Sequence, residues 1–120
     1  MKRRKLSIFS SQEEVDAAAL LDATELLGAQ PASEVAVGEV VKVHGAIRAL
    51  RIRPNTTVPM VEAEIWDGSG LVTLIWLGRR TIAGITPGRA LVAQGRLSRG
   101  PAGQPTLFNP RYDLLASGEH

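Results

Sequence analysis

Alternating apolar and polar residues between Val61 and Trp76 form the clearest pattern in the chain. In the first arm, residues 61–66, apolar side chains alternate with two glutamates and Trp66, so one face is apolar and the other polar. The second arm, residues 71–76, is apolar on both faces. Between them lies Asp67-Gly-Ser-Gly, in which the Asp can bond the backbone ahead of it and the glycines tolerate positive φ. The pattern predicts a β-hairpin.

An α-helix is predicted before the β-rich part. Ser11 and Glu14 have the spacing of a capping box, and an Ala- and Leu-rich segment follows until Gly28 ends it. The apolar stripe on this helix is only partial, so three arrangements stay open: docking on the β-rich part, pairing with another copy, or loose attachment. Residues 1–10 are read as a basic arm and residues 30–33 as a linker.

From Val35 onward the apolar period is two. The apolar residues of segment 41–47 lie in one phase, whereas Leu50 and Ile52 lie in the other. A slip of one residue near Arg48 moves the apolar face across the strand, which a β-bulge accommodates. We therefore expect a long, coiled first strand that serves two sheets, with Gly45 near its middle.

The remaining segments complete a five-strand order. Residues 78–88 are long enough for one or two helical turns, and residues 91–97 repeat the pattern of the first strand, including a mid-strand glycine. After a Gly/Pro loop, residues 106–115 are read as the last strand, in which Pro110 requires an edge or a bulge. This order predicts a mainly β fold, a five-stranded OB-fold Greek-key barrel with a short helical turn between strands 3 and 4, preceded by an N-terminal α-helix.

Three segments also carry a family resemblance. Residues 64–74 and 87–97 resemble the OB-fold family of aminoacyl-tRNA synthetase anticodon-binding domains. The segment Phe108-Asn-Pro-Arg-Tyr is similar to the wedge domain of branched-DNA helicases, where a Pro-x-Tyr closes the barrel. The whole chain resembles small stand-alone actinobacterial OB-fold nucleic acid binding domain-containing proteins with a helical N-terminal extension. The resemblance covers roughly residues 35–115. With the elements above, we expect an arm, helix and linker over residues 1–34, an OB-fold domain over 35–116 and a tail over 117–120.

Composition and charge divide the chain in the same way. A length of 120 residues, 44% hydrophobic, suits one domain with a modest core. Residues 1–34 hold four Lys/Arg against six Asp/Glu, a net of −2, whereas residues 35–120 hold ten against six, a net of +4. Nine of those ten cations are Arg, which favours planar contacts with phosphates and bases. Without cysteines, a secretion signal or a long apolar run, we expect a cytoplasmic protein that makes no contact with membranes.

Residues for enzyme chemistry are scarce. His44 and His120 are far apart, and no cysteine can help to hold a metal. Glu62 and Glu64 are two apart on one strand face, and we interpret them as solvated or Arg-paired rather than as an acid/base pair. No glycine-rich turn fits a phosphate-binding loop. We therefore predict no enzymatic activity, no metal and no cofactor.

A nucleic-acid surface has better support. In an OB-fold the ligand crosses strands 2 and 3 between two loops. Mapped on this chain, the candidate residues are Arg48, Arg51, Arg53, Asn55, Trp66, Thr73, Arg79, Arg80, Arg96 and Arg99. For Trp66 the open roles are base stacking and packing, either over the barrel rim or against the N-terminal helix. Arg79 and Arg80 either touch phosphate or bond helical carbonyls and solvent. Trp76 is predicted in the core, and Tyr112 as an anchor of the last strand.

Two functions of different classes follow. The leading hypothesis is a non-enzymatic module that binds single-stranded or structured DNA or RNA through Arg–phosphate contacts and limited stacking. The alternative is a protein-interaction or oligomerisation module that uses the barrel and the N-terminal helix. Aromatic residues make up only 4% of the chain, and two glutamates lie near the expected groove, so we expect weak or partner-assisted nucleic-acid binding.

Overall fold

Six β-strands wind into a closed barrel in the computed structural model, which describes residues 11–53 and 57–116. The strands are β1 (Val40–Arg53), β2 (Met60–Trp66), β3 (Leu71–Leu77), β4 (Ala90–Arg99), β5 (Pro105–Phe108) and β6 (Arg111–Leu114). The ring runs β1-β2-β3-β5-β4 and returns to β1, with β3 and β5 parallel, and β6 pairs with β4. The expected mainly β OB-fold barrel with an N-terminal helix is confirmed.

The first strand turns the corner of the barrel at a bulge. Its pairing with β2 shifts register between Ile47 and Ala49, as the change of apolar phase predicts. Gly45 lies where β1 crosses close to the end of β2, and a Cβ added there would lie 2.9 Å from the carbonyl oxygen of Trp66. A larger residue at this position would therefore push the two strands apart.

The core consists of the inward-facing residues of every ring strand. Trp76 lies within it, 5% exposed, and Tyr112 packs against it from the edge, as expected. Two isoleucines from the segment between β3 and β4 close one end. The main core residues are Val41, Val43, Ile47, Val61, Ala63, Ile65, Val72, Leu74, Trp76, Ile82, Ile85, Leu91, Ala93, Leu97 and Leu107.

Two local details differ from the expectation. Residues 78–89 contain hydrogen-bonded turns but no helix, with the Ile85 amide bonded to Ile82 and the Arg89 amide bonded to Thr86. Pro87, which lacks an N–H, and the glycines beside it disfavour a continuous helix there. The last strand is divided into β5 and β6, because Asn109 takes a positive φ of 50° immediately before Pro110.

The N-terminal helix, α1 (Ser11–Leu26), ends as predicted near Gly28. The Gly28 amide bonds to the Glu25 carbonyl and the Ala29 amide to the Thr24 carbonyl, a pattern that closes helix C-termini. The basic arm, the tail from residue 117 and the side chains of the expected capping box at 11–14 lie outside the described residues.

The helix docks on the barrel, which is the first of the three arrangements that its sequence left open. The Thr24 hydroxyl lies 2.7 Å from Nδ1 of His44 on β1, and both residues are buried. Because the same hydroxyl donates to the Leu20 carbonyl, it is placed to accept from the imidazole. Burial lowers the pKa of His44 below its ordinary 6.5, with a smaller opposing influence from Asp67.

The hairpin turn between β2 and β3 is the second place where the barrel contacts the N-terminal helix and linker. Asp67 Oδ1 accepts bonds from the amides of Ser69 and Gly70, at 2.8 and 3.0 Å, as the Asp-Gly-Ser-Gly sequence predicts. Its other oxygen accepts a 2.7 Å bond from the amide of Ala32 in the linker. Gly68, at φ +94°, lies directly against the backbone of Ala17, so the turn and the helix touch main chain to main chain.

Candidate nucleic-acid interface

A groove of about 320 Å³ crosses the outer face of β2 and β3. One wall is the end of β1, and the other is the loop of residues 100–104 between β4 and β5. This is the surface on which OB-folds bind their ligands. The groove is lined by Arg53, Met60, Glu62, Ile75, Pro101, Ala102, Gln104 and Phe108.

The loop that forms the second wall is held by its own hydrogen bonds. The Gly100 amide bonds to the Gln104 carbonyl at 2.8 Å, and the Gly103 amide bonds back to Gly100 at 2.9 Å. The Gln104 side chain accepts a further bond from the Ala102 amide. The wall therefore keeps its shape without a ligand, which reduces the entropy cost of binding.

Two arginines stand on the first wall. Arg51 and Arg53 lie on the same face of β1, and both reach Glu62 on β2, with N···O distances of 3.4 and 3.5 Å. Their side chains are about half exposed (48% and 50%), whereas that of Glu62 is 16% exposed. One carboxylate thus orients two guanidinium groups and offsets part of their charge, which confirms the Arg-paired interpretation of Glu62.

Phe108 is the aromatic residue of the groove, and the sequence analysis did not single it out. It is 41% exposed at the end of β5, beside its pairing partner Ile75, which is buried. The prediction of one strand over residues 106–115 gave no reason to expect an exposed aromatic side chain at this position. The signal that identifies it is the Asn109-Pro110 dipeptide, which ends the strand directly after the phenylalanine.

Trp66 lies at the other end of β2, on the same outer face. The Arg48 guanidinium lies over its ring, 4.8 Å from the centroid, and the indole is half-buried. This geometry is a cation–π contact within the protein. One face of the indole is therefore already covered.

The other predicted site residues are dispersed. Thr73 is on the expected face but is 4% exposed, beneath its neighbours. Arg99 is exposed at the base of the 100–104 loop, close to the groove. Arg96 lies on the β1–β4 side and donates to the Gly38 carbonyl. Arg79 and Arg80 are exposed beyond the end of β3, and Asn55 lies outside the described residues.

No group of three or more metal-ligating side chains is found among residues 11–53 and 57–116. Within the same ranges, no helix has the length and apolar character needed to cross a membrane.

Comparison with solved structures agrees with this architecture. The chain is similar to RecG in its structure bound to a three-way DNA junction, with a TM-score of 0.56 and 20% identity over 68% of this chain and 12% of that one. It is also similar to the replication factor A related protein from Methanobacterium thermoautotrophicum, with a TM-score of 0.58 and 13% identity over 77% of this chain and 94% of that one. No family model and no curated protein sequence matches the chain.

The chain is therefore an OB-fold protein. The identities are low, so they establish the shared fold, and the subfamily suggested by the sequence resemblance stays a prediction.

Proposed function

We propose that this chain is a non-enzymatic module that binds single-stranded or branched nucleic acid in the groove between β1 and the 100–104 loop. The observation that carries the proposal is the exposed ring of Phe108 in the same groove as Arg53. An aromatic face and a guanidinium together match the two features that every nucleotide presents, a base and a phosphate.

Each part of the groove has a role in this proposal. Phe108 stacks on one base, while Arg51 and Arg53 hold the phosphates on the first wall, and Arg99 attracts the backbone from the second. All these contacts are made with features common to the four bases, so we expect little sequence preference. Because Glu62 offsets part of the arginine charge, we expect modest affinity.

The structural neighbours support the choice of ligands to test. RecG is described bound to a three-way DNA junction, and the second neighbour is described as related to replication factor A. Branched DNA and single-stranded DNA are thus the first candidates for this chain, with single-stranded RNA as a comparison.

The test is fluorescence anisotropy of these three labelled ligands at two salt concentrations. We expect saturable binding that weakens as salt rises, with a log–log slope that Arg53→Ala reduces by about 0.7 for one lost single-strand phosphate contact. Lys42→Ala is the charge-matched control, because Lys42 pairs with β4 on another side of the barrel and should leave the slope unchanged.

Absence of binding to all three ligands at low salt would overturn the proposal. The protein-interaction alternative would then be favoured, since the apolar side chains of Leu77 and Phe108 are exposed on this side of the barrel. Sedimentation of the chain alone over a concentration series would then show whether it self-associates.

A further inference from the structure

A second, larger cleft opens where β3 and β6 separate. Its volume is about 570 Å³. It carries two arginines and, among the described residues, one acidic side chain. The cleft is lined by Trp76, Leu77, Arg79, Asn109, Pro110, Arg111, Tyr112 and Asp113.

The cleft exists because the last strand changes partner. β5 pairs with β3 as far as Phe108, and then Asn109, at φ 50°, and Pro110 direct the chain away, so that β6 pairs with β4 alone. The gap left beside the end of β3 has a rigid floor. Trp76 Nε1 donates to the Pro110 carbonyl at 3.3 Å, and the ring of Tyr112 meets that of Trp76 edge-on, 5.5 Å between centroids.

The polar groups around this floor are suited to an anion. Arg79 and Arg111 are both exposed, from opposite sides of the gap. Asn109 accepts a 2.9 Å bond from the Leu77 amide, and since an N–H donates, the accepting atom is the oxygen, which leaves the amide NH₂ as a donor. Two guanidiniums and an amide NH₂ are the donors that bind phosphate oxygens.

Asp113 is the one acid of the cleft lining. Within the described part of the chain, no ion pair within 4 Å joins it to Arg79 or Arg111. The two guanidiniums thus differ from Arg51 and Arg53, whose charge Glu62 offsets. The guanidiniums of this cleft are therefore not engaged by a carboxylate within the described part of the chain and can turn to an external anion.

The cleft and the groove are adjacent. Met60 lines the groove, and its direct pairing partner on β3, Leu77, lines the cleft. On the other side Phe108 lines the groove, and the next residue, Asn109, lines the cleft. A chain that leaves the groove past Phe108 crosses the exposed side chain of Leu77 and enters between the two arginines.

We propose, on the basis of the function proposed above, that a bound single strand continues from the groove into this cleft, where Arg79 and Arg111 together hold one of its phosphates. Phe108 then lies where the strand passes from the groove into the cleft. One base stacks on it in the groove, and the backbone of a following nucleotide is held in the cleft. The affinity should therefore depend on the length of the strand, because a strand too short to reach the cleft gains no affinity from its arginines.

The experiment compares oligothymidylates of about 4 and about 12 nucleotides, lengths within the range of OB-fold sites. They are titrated by anisotropy, with the short strand as competitor, against the full chain and the variant Arg79→Ala/Arg111→Ala. We expect the variant to lose roughly tenfold in affinity for the long strand and to show a salt slope lower by about 0.7, with little change for the short strand. Both arginines are exposed, so the melting temperature should stay at the wild-type value.

Single substitutions add a matched comparison. Arg111→Ala should lower the affinity for the long strand more than Lys42→Ala does, although each substitution removes one positive charge. Asp113→Asn should act in the opposite direction and tighten binding of the long strand, because it removes the one acid that lines the cleft among the described residues.

The outcomes separate this inference from the function on which it rests. If the wild-type chain binds neither strand, the proposed function fails. If it binds both, but the double variant loses equally on both lengths or loses nothing on the long strand, the groove function stands and the cleft is not part of the path.

Discussion

The guanidinium of Arg48 lies over the indole of Trp66, 4.8 Å from the ring centroid, at the point where β1 bulges. The contact gives Trp66 a partner inside the protein, so a base can reach only its other face. We expect Trp66→Ala to lower nucleic-acid affinity less than fivefold and to lower stability by about 0.5–1 kcal/mol, the value of an exposed cation–π pair. Anisotropy and urea denaturation measure the two effects.

The competing roles of Trp66 predict different results for this variant. A much larger loss of stability would mean that the indole packs as part of the barrel rim. A loss of affinity as great as that of Phe108→Ala would instead show that Trp66 is a main contact of the nucleic acid.

Phe108 should be the dominant aromatic contact. Its ring is exposed in the groove, and stacking of one base contributes roughly 1–3 kcal/mol, so Phe108→Ala should weaken single-strand binding by about 5- to 150-fold. Phe108→Trp keeps an aromatic face and should retain affinity, whereas Phe108→Leu keeps apolar volume and should not. If Phe108→Leu binds as well as the wild type, the side chain acts through apolar contact rather than stacking.

Glu62 should restrain binding. Glu62→Gln removes the negative charge that offsets Arg51 and Arg53. We expect tighter binding by a few-fold and a salt slope steeper by about 0.7, at a stability cost of about 0–1 kcal/mol. Glu64→Gln is the matched control, since it makes the same charge change two residues further along β2. An equal gain in both variants would show a general charge effect and not release of the arginines.

Acid should destabilise the fold through His44. Burial lowers its pKa below 6.5 in the folded state, so between that value and 6.5 the unfolded chain binds more protons than the folded one. The free energy of unfolding should therefore fall as the pH drops below about 6.5, and it should stop falling from this cause once the pH is below the folded pKa.

Urea denaturation at about pH 7.5 and about pH 5.5 tests this dependence. His44→Gln lacks the titrating group, so its stability should change less between the two conditions than that of the wild type. Identical pH dependence of the two proteins would exclude His44 as the source.

Removal of residues 1–30 should leave a folded barrel. Within residues 15–26, no side chain of α1 belongs to the hydrophobic core, which is built from the strands, the segments between them and Ala32 of the linker. We expect a lower midpoint but a cooperative transition, together with a higher pKa for His44, whose cover is lost. A broad, non-cooperative transition would show instead that the helix completes the core.

Much of the barrel could be predicted from short-range patterns. The hairpin turn at Asp67 follows from the bonds that an Asp makes to the amides just ahead of it, and the bulge near Arg48 follows from a change of apolar phase. Both are local, and they depend on residues within one or two positions. The C-terminal end of α1 is equally local, because the closing hydrogen bonds at Gly28 lie within the last turn.

Features that depend on distant residues could not be predicted in this way. The pairing of Arg51 with Glu62 requires the register between two strands, and docking of α1 requires the contact of Thr24 with His44. The arginines of the second cleft come from segments that meet only after the barrel has closed, and nothing near Arg111 in the sequence indicates that Arg79 lines the same cleft.

The first strand carries a consequence for the order of folding. Its C-terminal half pairs with the neighbouring β2 across a short loop, whereas its N-terminal half pairs with β4, with Val43 opposite Ala93. The β1-β2-β3 meander can thus form early at a low cost in loop entropy, but the ring closes only through a pairing between residues far apart in the chain. Closure of β1 on β4 is expected to limit the folding rate, so substitutions in the early-formed hairpin turn and at that seam should both slow folding, whereas substitutions in elements that pack after closure should mainly alter unfolding.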